Sequence, residues 1–167
     1  MWTSYFLSSA LNERLCRDLP DEQFASAVFA WFDPAAGRLH YANAGHPTSY
    51  LRSPSSAWRE LESSGPVLGL VPGAEFPTNV LSLAPGSRLF ACTDGVTETR
   101  DAQGRLWGTD ELMEILISTE SVDPNQVVGR ILERLVELRG NRPQDDDLTL
   151  MLAELSPTAT DCEGVAK

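Results

Sequence analysis

Apolar residues recur along this chain at two spacings, and the changes of spacing mark the elements. Between about Ser4 and Cys16, Tyr5, Ser8, Leu11 and Leu15 fall at helical intervals beside Phe6 and Ala10. That pattern predicts an amphipathic helix, which Pro20 prevents from continuing. From Phe24 to Phe32 the chain is almost wholly apolar and rich in aromatic residues, the pattern of a strand covered on both faces. Asp33-Pro34-Ala35-Ala36-Gly37 is a turn of hairpin length, and Leu39 to Ala44 reads as the returning partner. Short strands are predicted at Thr48 to Arg52 and Trp58 to Glu62, around the Ser53-Pro54-Ser55-Ser56 loop. Another is predicted at Asn79 to Leu83, with Pro85-Gly86 turning into Ser87 to Thr93. Thr109 is placed to cap a helix over Asp110 to Ser118. Asp123-Pro124-Asn125-Gln126 has capping-box spacing with proline at the first helical position. The helix it opens presents Val127, Ile131, Leu135 and Leu138 on one face and stops at Gly140. Asp147 to Glu154 is the last predicted strand, and residues 156–167 read as a disordered polar tail. Hairpins followed by a helix pair and a final strand predict an α+β fold rather than alternating β and α units.

Composition narrows the function classes. A length of 167 residues, with 42% apolar and 22% charged, is that of one soluble globular domain. A formal charge of −11 disfavours nucleic acid, which needs a basic face, and anionic membranes for the same reason. Cys16, Cys92 and Cys162 are odd in number and show no Cys-x-x-Cys spacing, so neither a zinc site nor a disulfide framework is indicated. Reduced thiols fit a cytoplasmic setting. The N-terminus lacks a basic leader, its first positive side chain being Arg14, and no apolar run reaches the length of a membrane span.

The chemistry lies at two strand ends. Leu89 to Cys92 is an apolar run that leads through Thr93 to Asp94 at a glycine turn, and Asp145-Asp146-Asp147 stands before the last apolar strand. Acids carried by strand ends far apart in sequence can converge in a sheet protein, and an all-oxygen set suits Mg²⁺ or Mn²⁺. Such a metal site points to hydrolysis. Each half also has a plainer reading: Asp-Gly after a strand is a common turn, and an acidic triplet before a strand is a solvated loop or an edge guard. His46, in Gly45-His46-Pro47 after a strand, either faces a cleft or fixes its turn by hydrogen bonding, and Asn43 suits the turn backbone. Glu98 and Arg100 either border a phosphate site or belong to a solvated loop.

Several motifs in one order resemble the PPM (PP2C-like) family of metal-dependent serine/threonine phosphatases, in its bacterial SpoIIE/RsbU-like branch that regulates sigma factors. They are the Phe24–Phe32 strand and the Leu39-His40-Tyr41-Ala42-Asn43-Ala44-Gly45-His46-Pro47 stretch, then Gly65-Pro66-Val67-Leu68-Gly69-Leu70. Thr93-Asp94-Gly95-Val96-Thr97-Glu98 and Asp146-Asp147-Leu148-Thr149-Leu150 follow. The resemblance runs from about Leu11 to Leu155. It implies an antiparallel β-sandwich flanked by helices, over a partial phosphatase domain at residues 1–155. It also implies two Mn²⁺ or Mg²⁺ ions, with Asp94 and Asp146 as direct ligands and Asp147 as an alternate or supporting one. Gly95, Asn43 and His46 would border the site. The implied substrate is phosphoserine or phosphothreonine on a bacterial signalling protein such as an anti-sigma-factor antagonist. The branch normally opens with a Gly-Asp strand and an Asp-x-x-Gly-x-Gly turn, neither of which precedes Met1-Trp2-Thr3-Ser4-Tyr5. The expectation is therefore a fold lacking its first strands, with an incomplete sheet edge near Phe29 and Trp31 through which chains could self-associate. A catalytically inactive remnant serving as a binding or regulatory module is the alternative function.

Overall fold

The computed structural model describes residues 4–20, 22–47 and 49–156, the first four of them by backbone alone. The expectations for the Tyr5 and Phe6 side chains and for the tail beyond Ser156 lie outside the described residues. Helix α1 (Ser4–Asp18) is followed by strands β1 (Ala27–Asp33), β2 (Arg38–Ala44), β3 (Ser49–Arg52), β4 (Arg59–Glu60), β5 (Asn79–Ser82) and β6 (Arg88–Cys92). A one-turn helix α2 (Asp94–Thr97), helices α3 (Gly108–Ser118) and α4 (Pro124–Arg139), and strand β7 (Leu150–Glu154) complete the chain.

The strands form two antiparallel sheets, ordered β1-β2-β5 and β4-β3-β6-β7. Side-chain alternation decides what lies between them. Leu39 and Tyr41 of β2 meet Leu51 of β3 and Leu89 of β6 in one apolar cluster, so the sheets pack face to face. Ala42 and Ala44 point the other way, and with Leu68 and Phe76 they take Leu11 and Leu15 of α1. On the far side of the second sheet, Tyr50, Phe90 and Cys92 meet Leu112 and Leu116 of α3 and Val127, Ile131 and Leu135 of α4. The result is the expected α+β fold, a β-sandwich with helices on both outer faces. Complete burial of residues such as Phe90 and Ile131 contributes about 1.5–3 kcal/mol each.

Helix α1 is also held by a polar clamp. Buried Asn12 donates from Nδ2 to the Val71 carbonyl at 2.9 Å and accepts at Oδ1 from the Gly69 amide at 2.9 Å. Gly69 sits at φ +85°, and a side chain there would press on Leu15 and Leu19. The inward face of α1 therefore carries Ser8, Leu11, Asn12 and Leu15, while Ala10, expected on that face, is exposed.

Other sequence expectations are corrected. Strand β1 is not covered on both faces: Ala30 is exposed and Trp31 is 43% exposed. Among the described strands β1 pairs with β2 alone, and α1 covers its Ala27 and Phe29 end. Trp31 instead tilts against the His40 ring across the hairpin, with centroids 5.8 Å apart. Thr109 does not cap α3, because the helix starts one residue earlier, at Gly108. Asp123 does cap α4, accepting from the Asn125 amide at 2.9 Å. The final strand begins at Leu150 rather than Asp147. Among the described residues no helix is long and apolar enough to cross a membrane.

One buried charge ties the sandwich to its helices. Arg88 opens β6 and is 7% exposed. It pairs with Glu154 on the neighbouring strand at 2.6 Å and donates to the Thr119 and Val122 carbonyls, between α3 and α4, at 3.3 and 2.7 Å. Its removal strands the Glu154 carboxylate and the Val122 carbonyl at once, while the Thr119 carbonyl keeps the Val122 amide at 3.0 Å. Arg88→Met is expected to lower unfolding stability by about 3 kcal/mol in urea denaturation. A loss below about 1 kcal/mol would show that the clamp is no better than an exposed ion pair.

Candidate functional site

Register brings three connections to one end of the sandwich. Ser49 pairs with Ala91 and Leu150 pairs with Cys92. The chain entering β3, the chain leaving β6 and the chain entering β7 therefore meet at that end. They carry His46, Asp94 and the Asp145–Asp147 run respectively.

Strand β6 is buried along all five residues, which fixes its position before the chain leaves the sheet. Thr93 then extends the pairing. Its amide donates to the Thr149 carbonyl at 3.0 Å, and its hydroxyl oxygen accepts from the Thr149 amide at 3.1 Å. The same hydroxyl donates to the Asp147 carbonyl at 3.2 Å. Gly95 follows, packed so closely that a Cβ would stand 2.6 Å from the Asp147 carbonyl oxygen. Glycine at this position is a matter of contact, since any side chain would push the two acidic segments apart. Asp94 therefore starts α2 rather than ending a plain turn, with Oδ1 accepting from the Gly95 amide at 3.0 Å. Opposite, Asp146 Oδ1 accepts from the Asp147 amide at 2.7 Å. Asp94, Asp146 and Asp147 are all solvent-facing.

Asn43 is buried and organises the neighbouring turn. Its side chain donates to the His46 and Leu61 carbonyls at 3.0 and 2.9 Å and accepts from the His46 amide at 2.7 Å. His46 is thereby held half-buried, with Nδ1 3.3 Å from the Ser26 hydroxyl. Burial pushes its pKa below 6.5, and the nearby Asp94 charge opposes that shift. The ring thus sits within electrostatic reach of Asp94, while Asn43 acts through the backbone.

Asp145 and Asp146 line a cavity of about 370 Å³ together with Gly95, Glu98, Arg100, Arg139, Arg142 and Gln144. Gln144 accepts from Arg139 at 3.0 Å and donates to the Asp146 carbonyl at 2.7 Å, steadying the acidic loop. Arg139, Arg142 and Gln144 were missed in the sequence; a run of basic residues just before the aspartates was the available signal. Among the described residues, no group of three His, Cys, Asp or Glu side chains is arranged to hold a metal ion. Asp94 and the Asp146–Asp147 segment are adjacent, and they fit a hard cation in kind while falling short in number.

Comparison with known proteins decides the family. The family model for Stage II sporulation protein E (SpoIIE) matches residues 7–156. The chain belongs to the SpoIIE family of PP2C-type phosphatases. It is 31% identical over 128 residues to Protein IcfG of Synechocystis, covering 77% of this chain and 20% of that protein. It is 25% identical over 143 residues to phosphoserine phosphatase RsbU of Bacillus subtilis, covering 85% of this chain and 42% of RsbU. The chain thus spans less than half the length of these relatives. Among solved structures, the RsbU and RsbW domains of a Mycobacterium tuberculosis protein match with a TM-score of 0.72 at 26% identity, over 91% of this chain and 42% of that one. RsbX in complex with magnesium shares the fold, with a TM-score of 0.60 at 21% identity over 89% of this chain and 62% of that one.

The His46–Asp94 relation has a measurable consequence. Asp94→Asn removes the charge that favours the imidazolium, so the His46 pKa should fall further below 6.5 in an NMR titration of the ring. Because the folded-state pKa is lowered, stability linked to His46 is present above pH 6.5 and is lost as pH falls through the folded value. A His46 titration unmoved by the substitution would place Asp94 out of reach of the ring.

Proposed function

We propose that this chain is the phosphatase portion of a bacterial signalling protein and removes phosphate from phosphoserine or phosphothreonine with Mn²⁺ or Mg²⁺. The observation that supports this reading is the close approach of Gly95 to the Asp147 carbonyl, which brings the turn carrying Asp94 against the segment carrying Asp146 and Asp147. The magnesium bound to RsbX, a protein of this fold, supports the choice of cation. RsbU, named a phosphoserine phosphatase, supports the substrate class. The finer expectation is a phosphorylated anti-sigma-factor antagonist.

In this reading Asp94 and Asp146 offer carboxylate oxygens to the cation, and Asp147 is an alternate donor or holds the loop. When bound, a divalent cation supplies Lewis acidity toward water and the phosphoryl oxygens. The remaining work belongs to the chain. Thr93 and Gly95 hold the acidic segments at a fixed separation. Gln144 restrains Asp146 through its carbonyl. His46, biased toward the neutral form by burial, lies within electrostatic reach of Asp94 without a fixed positive charge that would repel a cation. Self-association, if the chain shows it, belongs at the β1 edge, where Trp31 is exposed.

The second reading, a binding or regulatory module without turnover, is favoured by the lack of a three-ligand cluster among the described residues. Hydrolysis of a phosphoserine peptide with Mn²⁺ separates the two. The phosphatase reading expects slow turnover, weak cation affinity on the order of 0.1–1 mM, and a loss of about 100-fold or more in kcat/KM for both Asp94→Asn and Asp146→Asn. Peptide binding with no Mn²⁺-dependent turnover would decide for the module. Turnover indifferent to both substitutions would remove these acids from the chemistry.

A further inference from the structure

The chain carries 12 arginines and a single lysine, Lys167, against 24 acids. Arg100, Arg139 and Arg142 line the cavity beside Asp146. They reach it from different segments: the stretch after α2, the last turn of α4, and the link beyond Gly140. Gly140, at φ +57°, ends α4 and lets the chain turn back toward the acids. Among the described residues, five other arginines are committed to ion pairs. None of these three has a carboxylate within 4.0 Å among the described residues, although Glu98, Asp145 and Asp146 line the same cavity. Arg139 donates from Nη1 to Gln144, and its Nε is buried without a hydrogen-bond partner. A buried guanidinium donor left unmatched carries a cost that an incoming anion would relieve.

We infer that this cavity is a carboxylate-binding subsite, which receives an acidic side chain of the protein substrate next to its phosphorylated residue. The identity of that ligand rests on the phosphatase reading. A cavity of about 370 Å³ has room for a side-chain carboxylate. The guanidinium fork matches a carboxylate through parallel N–H···O contacts. The three acids on the rim oppose a phosphate dianion more strongly than a singly charged carboxylate. The chain as a whole, at −11, repels acidic peptides, whereas three arginines balance the three acids of this lining, so the local relief of repulsion would select both where such a substrate docks and which flanking residues it carries.

Fluorescence-anisotropy binding of two labelled phosphoserine peptides at low salt tests this without requiring turnover. One peptide has glutamates on both sides of the phosphoserine and the other has alanines. The glutamate peptide is expected to bind about five- to tenfold more tightly. Arg139→Gln should remove most of that difference. Arg142→Gln, at an exposed position where folding is not at stake, should remove part of it while leaving the alanine peptide's affinity within about twofold. The proposal is overturned by equal affinities for the unmodified protein, by a preference that survives Arg139→Gln combined with Arg142→Gln, or by no saturation with the glutamate peptide up to about 1 mM. It is also overturned if free inorganic phosphate abolishes the preference and leaves the alanine peptide bound, since the cavity would then be a phosphate site. Because the readout is binding, absence of hydrolysis counts against the phosphatase reading alone.

Discussion

The antiparallel register of β6 between β3 and β7 is the constraint on which the rest depends. Ser49 opposite Ala91 and Leu150 opposite Cys92 put three chain connections at one end of the sandwich. The ladder then continues past the strands through Thr93, whose backbone and hydroxyl bond to Thr149 and Asp147. A shift of one residue in this pairing would turn Phe90 and Cys92 out of the helix-side core and Leu89 out of the space between the sheets. Core packing and placement of the acids are thus set by the same register.

Electrostatics at that end follows from position. Asp94, Asp146 and Asp147 face solvent, so their negative charge is available to a ligand instead of being absorbed by ion pairs. His46 is held by Asn43 in a half-buried turn, where loss of hydration works against its charged form. The buried arginine with a structural role, Arg88, lies at the opposite end of β6, paired with Glu154. Among the described residues, the arginines near the acids are left without carboxylate partners. The two ends of one short strand therefore divide the work: the first anchors the helices and the last leads into the acidic turn.

Much of this was legible in the sequence, because period-2 and helical spacing report burial directly. The face of α4 follows from Val127, Ile131 and Leu135, and the partner strand β2 from the apolar run Leu39 to Ala44 after the turn. The ordered motifs led to the family, and the family led to the sandwich. Other features depend on contacts that no local pattern encodes. Asn12 reads as a surface residue until the Gly69–Val71 loop arrives to take both ends of its amide. An apolar run such as Phe24 to Phe32 looks the same whether one face or two are covered, and β1 proved half open. Thr109 has the chemistry of a cap, but the helix begins at Gly108, whose φ of +88° makes the turn before it. The arginine-lined cavity forms only when the segments 95–100 and 139–146 are brought together, and the lack of a carboxylate partner for its arginines among the described residues is a matter of geometry.

Paramagnetic broadening of backbone amide NMR signals during Mn²⁺ titration tests the central claim, that the ends of β6 and β7 form one cation-binding site. Asp94, Gly95, Asp146 and Asp147 should broaden together along a single binding curve, with Arg88 and Glu154 at the far end of the strands unaffected. Broadening confined to the Asp145–Asp147 loop, or two separate curves for the two segments, would show that the acids lie near each other without sharing a cation, and would contradict the account.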